Sequence, residues 1–393
     1  MSSRRTFILL KTFGVISLLL SSSAVLAKSD DQSRDFEKSS VEAGLWHQSD
    51  EIEQKLNMSA ARIRDVSLNN YVVNLNRKVA GEHFSDIRTS LLKAPVFNAG
   101  IFPNGAMFVY SGLMLRVDNE AQLACVLAHE NAHYVHKHSL KRAQETSKSV
   151  AAHKIVGIAT LGYSTLVTAV IAASEISSFS RENERESDIE SIKRIGDLGY
   201  DLTQCAQIWG HVVDESLASS NKKKKKRATK SPIFASHPSS PDRKEYLLAL
   251  AEATNSTVTI ANDDEAYRRI IRHHIADWLE AELDNRDYGS MLHLIDRLER
   301  IKGDEGVLNY ARGRVYETRN DEGDRTLMDA AFLEASKYND APAILWRSMG
   351  DMYARTNETD KAITAFEKYL MKQPQAPDKD LIEFMITDLR ETQ

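Results

Sequence analysis

Two histidines and a glutamate in the stretch LAHENAHYVHKH have the residue types and the spacing of a metal-binding catalytic helix. His129 and His133 are four residues apart, about one helical turn, so both imidazoles share a face and can approach one zinc ion. Glu130 follows the first histidine and would lie beside the metal, where it can act as general base toward a water molecule. Because this His-Glu-x-x-His pattern also arises by chance, a third ligand is needed before it predicts an enzyme.

Neither of the next two histidines is predicted to be that ligand. Seven residues of helix rise about 10 Å between His129 and His136, and His138 lies further still, so neither can share an ion with His129. His136 and His138 are instead expected to lie on the surface or to contact a liganding side chain and support it. Cys125, one turn before His129, is expected to fill the core, and a bridge from it to Cys205 is left open.

A better third ligand lies further along the chain, in SRENERESDIES. Glu184 and Asp188 are four residues apart on a second predicted helix and share a face. Glu184 could complete a His, His, Glu set, and Asp188 could accept a hydrogen bond from a liganding imidazole and fix its tautomer. Taken alone, this charged helix is better explained as a solvated face.

The element expected beside the histidine helix is a strand in AMFVYSG, which is rich in aromatic and β-branched residues. The edge of this strand, at Phe108, Val109 and Tyr110, could pair with an extended substrate backbone. An ordinary buried strand is the alternative.

Together these segments resemble the gluzincin metallopeptidase family that includes HtpX and the CaaX prenyl proteases. ERESD is similar to the family's Glu-x-x-Ala-Asp motif, with Ser187 in place of alanine, and FNAGIFPNGAMFVY is similar to its strand segment. SHPSSPDR supplies the family's His-Pro and arginine, here His237 and Arg243. The resemblance implies one zinc ion per chain, and for His237 and Arg243 a regulatory or transition-state role. A residue of a turn is the alternative for His237.

The sequence predicts an α+β fold, mainly α, in two domains. Residues 28–260 form the gluzincin metallopeptidase domain, with a small β-sheet beside the active-site helix, and residues 261–393 form a helical domain like a tetratricopeptide solenoid. Six residues of the second domain have the 34-residue spacing of that repeat: Trp346, Gly350, Tyr353, Ala362, Phe366 and Pro374. A looser copy precedes it and a weaker helix pair runs from Glu265 to Ile301, while a plain helical bundle is the alternative.

The start of the chain predicts export. Residues 1–27 have a basic start, an apolar middle and small residues before Ala27, the pattern of a cleaved signal peptide, which predicts a periplasmic protein. An uncleaved membrane anchor is the alternative. Ile155–Ser174 carries no charge and is interpreted as a buried helical hairpin or a dip into a membrane. The lysine run Lys222–Lys230 is interpreted as a solvated loop, or as a contact with anionic lipid headgroups. The net charge of −5 argues against nucleic acid as a partner.

These features predict an exported zinc endopeptidase with a protein-binding arm. An exported protease joined to tetratricopeptide repeats is similar to the branch of the family that acts in periplasmic β-barrel assembly. That resemblance implies unfolded or misassembled outer-membrane proteins as substrates and the barrel assembly machinery as a partner. The competing hypothesis is a chaperone or adaptor for outer-membrane proteins with a normally closed zinc site, although a structural site would not require Glu130.

Overall fold

The computed structural model describes residues 41–146, 179–222 and 243–392. The predicted signal peptide, the apolar segment Ile155–Ser174, His237 and the lysine run beyond Lys222 lie outside these residues. No helix within the described ranges is both long and apolar enough to cross a membrane.

A small three-stranded sheet lies in the N-terminal part of the described chain. Its strands are β1 (Arg88–Leu92), β2 (Ala99–Ile101) and β3 (Ala106–Tyr110). Their order is β1-β3-β2, with β1 parallel and β2 antiparallel to β3. The predicted small sheet is therefore confirmed.

The strand predicted to offer an edge to the substrate is the central strand, so that prediction is wrong. The strand β3, which contains Phe108, Val109 and Tyr110, pairs with β1 on one side and with β2 on the other, and all five of its residues are buried. A run of consecutive apolar residues is typical of a strand covered on both faces. The edge strand nearest the histidine helix is instead β2, which packs against that helix.

Within residues 41–146 the structure has five α-helices: α1 (Val41–Met58), α2 (Val66–Ala80), α3 (Ser111–Met114), α4 (Glu120–Val135) and α5 (His138–Thr146). A short 3-10 helix, Gly81–Asp86, lies between α2 and β1. Helix α4 carries both site histidines. It begins at Glu120, where the side chain of Asn119 accepts a hydrogen bond from the backbone N–H of Gln122 and caps the first turn.

The peptidase half of the chain continues with α6 (Arg181–Asp197), α7 (Thr203–Ala218) and α8 (Arg243–Ala253). The side chain of Ser180 caps α6 by accepting a hydrogen bond from the N–H of Asn183. Helix α4 packs against α2, α6, α7 and β2. This packing brings the acidic face of α6 onto the histidine face of α4.

The remaining helices are α9 (Asp264–Leu283), α10 (Tyr288–Leu298), α11 (Glu305–Arg319), α12 (Asp324–Ala335), α13 (Ile344–Arg355), α14 (Thr359–Lys372) and α15 (Lys379–Glu391). The weak helix pair predicted between Glu265 and Ile301 is present as α9 and α10. Residues of both helices share one hydrophobic core with the sheet and α4, so this core extends across the predicted boundary at residue 261. A second core joins α11 through α15.

The helices of the second core form packed pairs, α11 with α12 and α13 with α14. In each pair a glycine lets a phenylalanine ring approach the backbone of the first helix. A Cβ at Gly313 would lie 2.3 Å from the ring of Phe332, and one at Gly350 would lie 2.4 Å from the ring of Phe366. This repeated contact gives the C-terminal region a solenoid-like character.

Candidate metal centre

Three buried side chains from two helices converge in the peptidase half. The Nε2 atoms of His129 and His133 are 3.0 Å apart. The carboxylate of Glu184 on α6 approaches both rings, at 3.5 Å from His129 Nε2 and 3.4 Å from His133 Nε2. The structure thus brings together the three residues that the sequence proposes as ligands, with their ligand atoms within 4.8 Å of one another.

Asp188 orients the first histidine. The Nδ1 atom of His129 lies 3.0 Å from Oδ1 of Asp188, so an N–H at this position donates to the carboxylate. That hydrogen bond leaves the Nε2 lone pair directed at the convergence point. The spacing of Glu184 and Asp188 on α6 predicts this arrangement, in which the two carboxylates contact opposite nitrogens of one ring.

Arg243, the first residue of α8, fixes the two carboxylates. Its Nη2 and Nε atoms lie 2.5 and 3.0 Å from the two oxygens of Asp188, and its Nη1 lies 3.2 Å from Oε2 of Glu184. The guanidinium also stacks on Trp209, with its central carbon 3.7 Å from the ring centroid. Although burial raises the pKa of Asp188, the charge of Arg243 and the hydrogen bond from His129 outweigh it, and the pKa is lowered.

A different pair of residues supports the second histidine. Nδ1 of His138 lies 2.9 Å from Nδ1 of His133, and Nε2 of His138 lies 2.9 Å from Oε2 of Glu186. The ring of Phe179 stacks on His133 at a centroid distance of 4.1 Å. His138 is fully buried and takes the supporting position that sequence reasoning left open. The partly exposed His136 contacts Glu186 at 3.4 Å.

Glu130 lies next to His129 on α4 and is 3% exposed. It borders a cavity of about 40 Å³ that Phe97, Val126 and Trp209 also line. Burial, and then the negative charge of Glu130, raise the pKa of Tyr110 in the central strand. The buried glutamate therefore faces a small, mostly apolar space beside the convergence point.

The chemistry of the converging groups fits a metal ion. Two imidazole nitrogens and a carboxylate are all hydrogen-bond acceptors here, and acceptors held this close repel one another unless a cation lies between them. Nitrogen and carboxylate ligands of this kind suit first-row transition metals better than calcium or magnesium.

A disulfide joins Cys125 to Cys205 and settles the question that the sequence leaves open. It links α4, one turn before His129, to the first turn of α7, and both cysteines line the cavity beside Glu130. Neither cysteine is a ligand of the centre. Their pairing could not be read from the sequence, because two cysteines 80 residues apart carry no signal of contact.

The fold and the candidate donor set, which lies on two packed helices, fit the class of metallopeptidases. Residues 70–251 match the model of peptidase family M48, so the chain carries a domain of that family. This confirms the family resemblance of the sequence motifs.

Relatives of known name agree with this family. A putative beta-barrel assembly-enhancing protease of Vibrio cholerae is 26% identical over 195 residues, which are 46% of this chain and 38% of the relative. The mitochondrial metalloendopeptidase OMA1 of Schizosaccharomyces pombe is 30% identical over 34% of this chain and 41% of its own length. The beta-barrel assembly-enhancing protease of Escherichia coli is 29% identical over 42% of this chain and 37% of its own length. The matches thus span about two fifths of each relative.

Proposed function

We propose that this chain is an exported zinc-dependent endopeptidase that hydrolyses misfolded or stalled outer-membrane proteins. The convergence of His129, His133 and Glu184, with Glu130 beside them, is the observation that carries the proposal. Two imidazoles and one carboxylate from two helices form the protein ligand set of a catalytic zinc site that leaves a position for water.

His129, His133 and Glu184 would hold the zinc ion. When bound, zinc supplies Lewis-acid chemistry, polarising a carbonyl and lowering the pKa of a water molecule. Glu130 takes the proton of the attacking water and then delivers it to the nitrogen of the scissile bond. The water oxygen bonds to the carbonyl carbon, the carbon–nitrogen bond breaks, and a carboxylate and an amine leave. Asp188 and His138 keep both imidazoles in the orientation that this chemistry requires.

The substrate backbone is proposed to lie along β2. Backbone hydrogen bonds join Tyr110 to Asn98 and Phe102 to Ala106, so in this antiparallel ladder Ala99 and Ile101 direct their backbone groups away from β3. No other strand of the described residues pairs with this edge. An extended chain added here would lie over α4 and be held by its backbone, with little preference for sequence.

The periplasm is the proposed location, and outer-membrane proteins are the proposed substrates. Two of the relatives are named for enhancing β-barrel assembly. The disulfide between Cys125 and Cys205 is typical of an oxidising compartment. The helices from α11 to α15 are proposed to act as tetratricopeptide repeats that dock substrates or the barrel assembly machinery.

A chaperone or adaptor with a normally closed site is the second candidate. The observation that favours it is the volume of the cavity at Glu130, about 40 Å³, which admits a few water molecules and no peptide. Under this proposal the site would open only when a substrate or partner engages the chain.

One experiment separates the two functions. The purified mature chain is incubated with an unfolded outer-membrane porin, with and without a zinc chelator, beside the Glu130→Gln variant. A peptidase cleaves the porin, stops with chelator, and loses cleavage in Glu130→Gln while that variant still binds zinc. A Glu130→Gln variant that cleaves at the parent rate refutes the catalytic proposal. Suppression of porin aggregation without cleavage, in the parent and the variant alike, supports the chaperone.

A further inference from the structure

We propose that His138, held by Glu186, is a positioning residue that sets the orientation and the proton position of His133. The inference rests on the proposed function only in taking His133 as a metal ligand.

The contact between the two histidines defines their hydrogen-bonding roles. Their Nδ1 atoms face each other at 2.9 Å, so one nitrogen must donate and the other accept. The Nε2 atom of His133 is the one that points at His129 and Glu184. A metal ligand needs that nitrogen unprotonated, so the proton of His133 lies on Nδ1 and is donated to His138.

The other nitrogen of His138 completes the chain of hydrogen bonds. Since its Nδ1 accepts from His133, a neutral His138 carries its proton on Nε2, which donates to Oε2 of Glu186 at 2.9 Å. One set of tautomers therefore satisfies every nitrogen in the chain. The ring of His138 has no exposed surface, so these two contacts, rather than water, decide its state.

The two ligand histidines are supported in different ways. His129 donates directly to the buried carboxylate of Asp188. His133 donates to a neutral ring, and the carboxylate that polarises this ring belongs to Glu186, whose side chain is 48% exposed. Removing His138 should therefore disturb the metal centre more than removing the charge of Glu186 does.

His136 provides a matched control within the same cluster. Its Nδ1 lies 3.4 Å from Oε1 of Glu186, its ring stacks on His138, and its side chain is 29% exposed. If removing any histidine near Glu186 weakened zinc binding, replacing His136 and replacing His138 would have the same effect. The positioning role predicts weaker zinc binding only when His138 is replaced.

The test measures zinc affinity by competition with a chromophoric chelator, and the absorption spectrum of the cobalt-substituted chain. His138→Ala and His138→Leu remove the acceptor, and the leucine keeps the space filled. Both variants should bind zinc about 10- to 100-fold more weakly than the parent and show a shifted cobalt spectrum. Mutation of the hydrogen-bond partner of a metal-binding histidine typically lowers metal affinity by this factor. His138→Gln restores an acceptor and a donor and should recover most of the affinity, and His136→Ala should match the parent.

Folded His138 variants that bind zinc as tightly as the parent overturn the proposal, and so does an equal loss in His136→Ala. If both apolar variants misfold, Glu186→Ala decides, because its half-exposed position tolerates replacement: an unchanged affinity and cobalt spectrum overturn the proposal. The readout is independent of cleavage. If the zinc affinity depends on His138 but the chain cleaves no protein, only the proposed function is contradicted. If the chain cleaves protein but its zinc affinity does not depend on His138, only this inference is contradicted.

Discussion

Reduction of the disulfide between Cys125 and Cys205 cuts the one covalent tie between α4 and α7 in the described residues. Both cysteines are buried, and Cys125 lies one turn before His129. The bridge thus holds the helix that carries two proposed ligands against a wall of the cavity beside Glu130. Its loss should lower the stability of the whole peptidase half.

The sequence separation of the two cysteines sets the size of the effect. The bridge spans 80 residues. In the chain-entropy account, a loop of that length removes about 15 cal/mol/K from the unfolded chain, or about 4.5 kcal/mol at 25 °C. Since a typical domain has a free energy of unfolding of about 5–15 kcal/mol, reduction should remove a large part of the total.

Urea unfolding of the oxidised and the reduced parent, followed by circular dichroism, measures this difference without changing any side-chain volume. Thiol titration in denaturant should detect no free thiol before reduction and both cysteines after it. The double variant Cys125→Ser with Cys205→Ser is the control, since reductant should leave its unfolding curve unchanged. Equal unfolding free energies for the oxidised and the reduced parent would refute the reasoning.

Two further predictions concern Arg243 and the edge strand. Arg243→Met leaves Asp188 and Glu184 buried without their cation, so the metal-free chain should lose about 3–5 kcal/mol in urea unfolding, while Arg181→Met, at an exposed position, should change little. The lowered pKa of Asp188 contributes its full stability above the unfolded pKa and loses it as the pH falls toward the folded pKa. The loss caused by Arg243→Met should therefore shrink as the pH falls below about 4, and a loss independent of pH contradicts the ion-pair account. Ile101→Pro removes an outward backbone N–H of β2 and should raise KM for an unfolded protein several-fold above that of Ile101→Ala, which controls for the lost side chain; equal KM values would rule out pairing along β2.

The sequence by itself determined the local chemistry of the centre. Helical periodicity sets which residues share a face, so His129 with His133, and Glu184 with Asp188, could be paired from spacing alone. The start of α4 after Asn119 was also readable, because capping depends on neighbours within one turn. These features depend on contacts within a few residues of the chain.

Tertiary structure alone decided what lies around the centre. The order of the strands made β2 rather than β3 the edge, since the sequence of a strand does not specify its neighbours. Packing of α6 near the end of α4 gave His138 its partner Glu186, and packing of α7 on α4 brought Cys205 to Cys125. Such contacts join residues far apart in sequence, and their geometry depends on the whole core, so no local pattern encodes them.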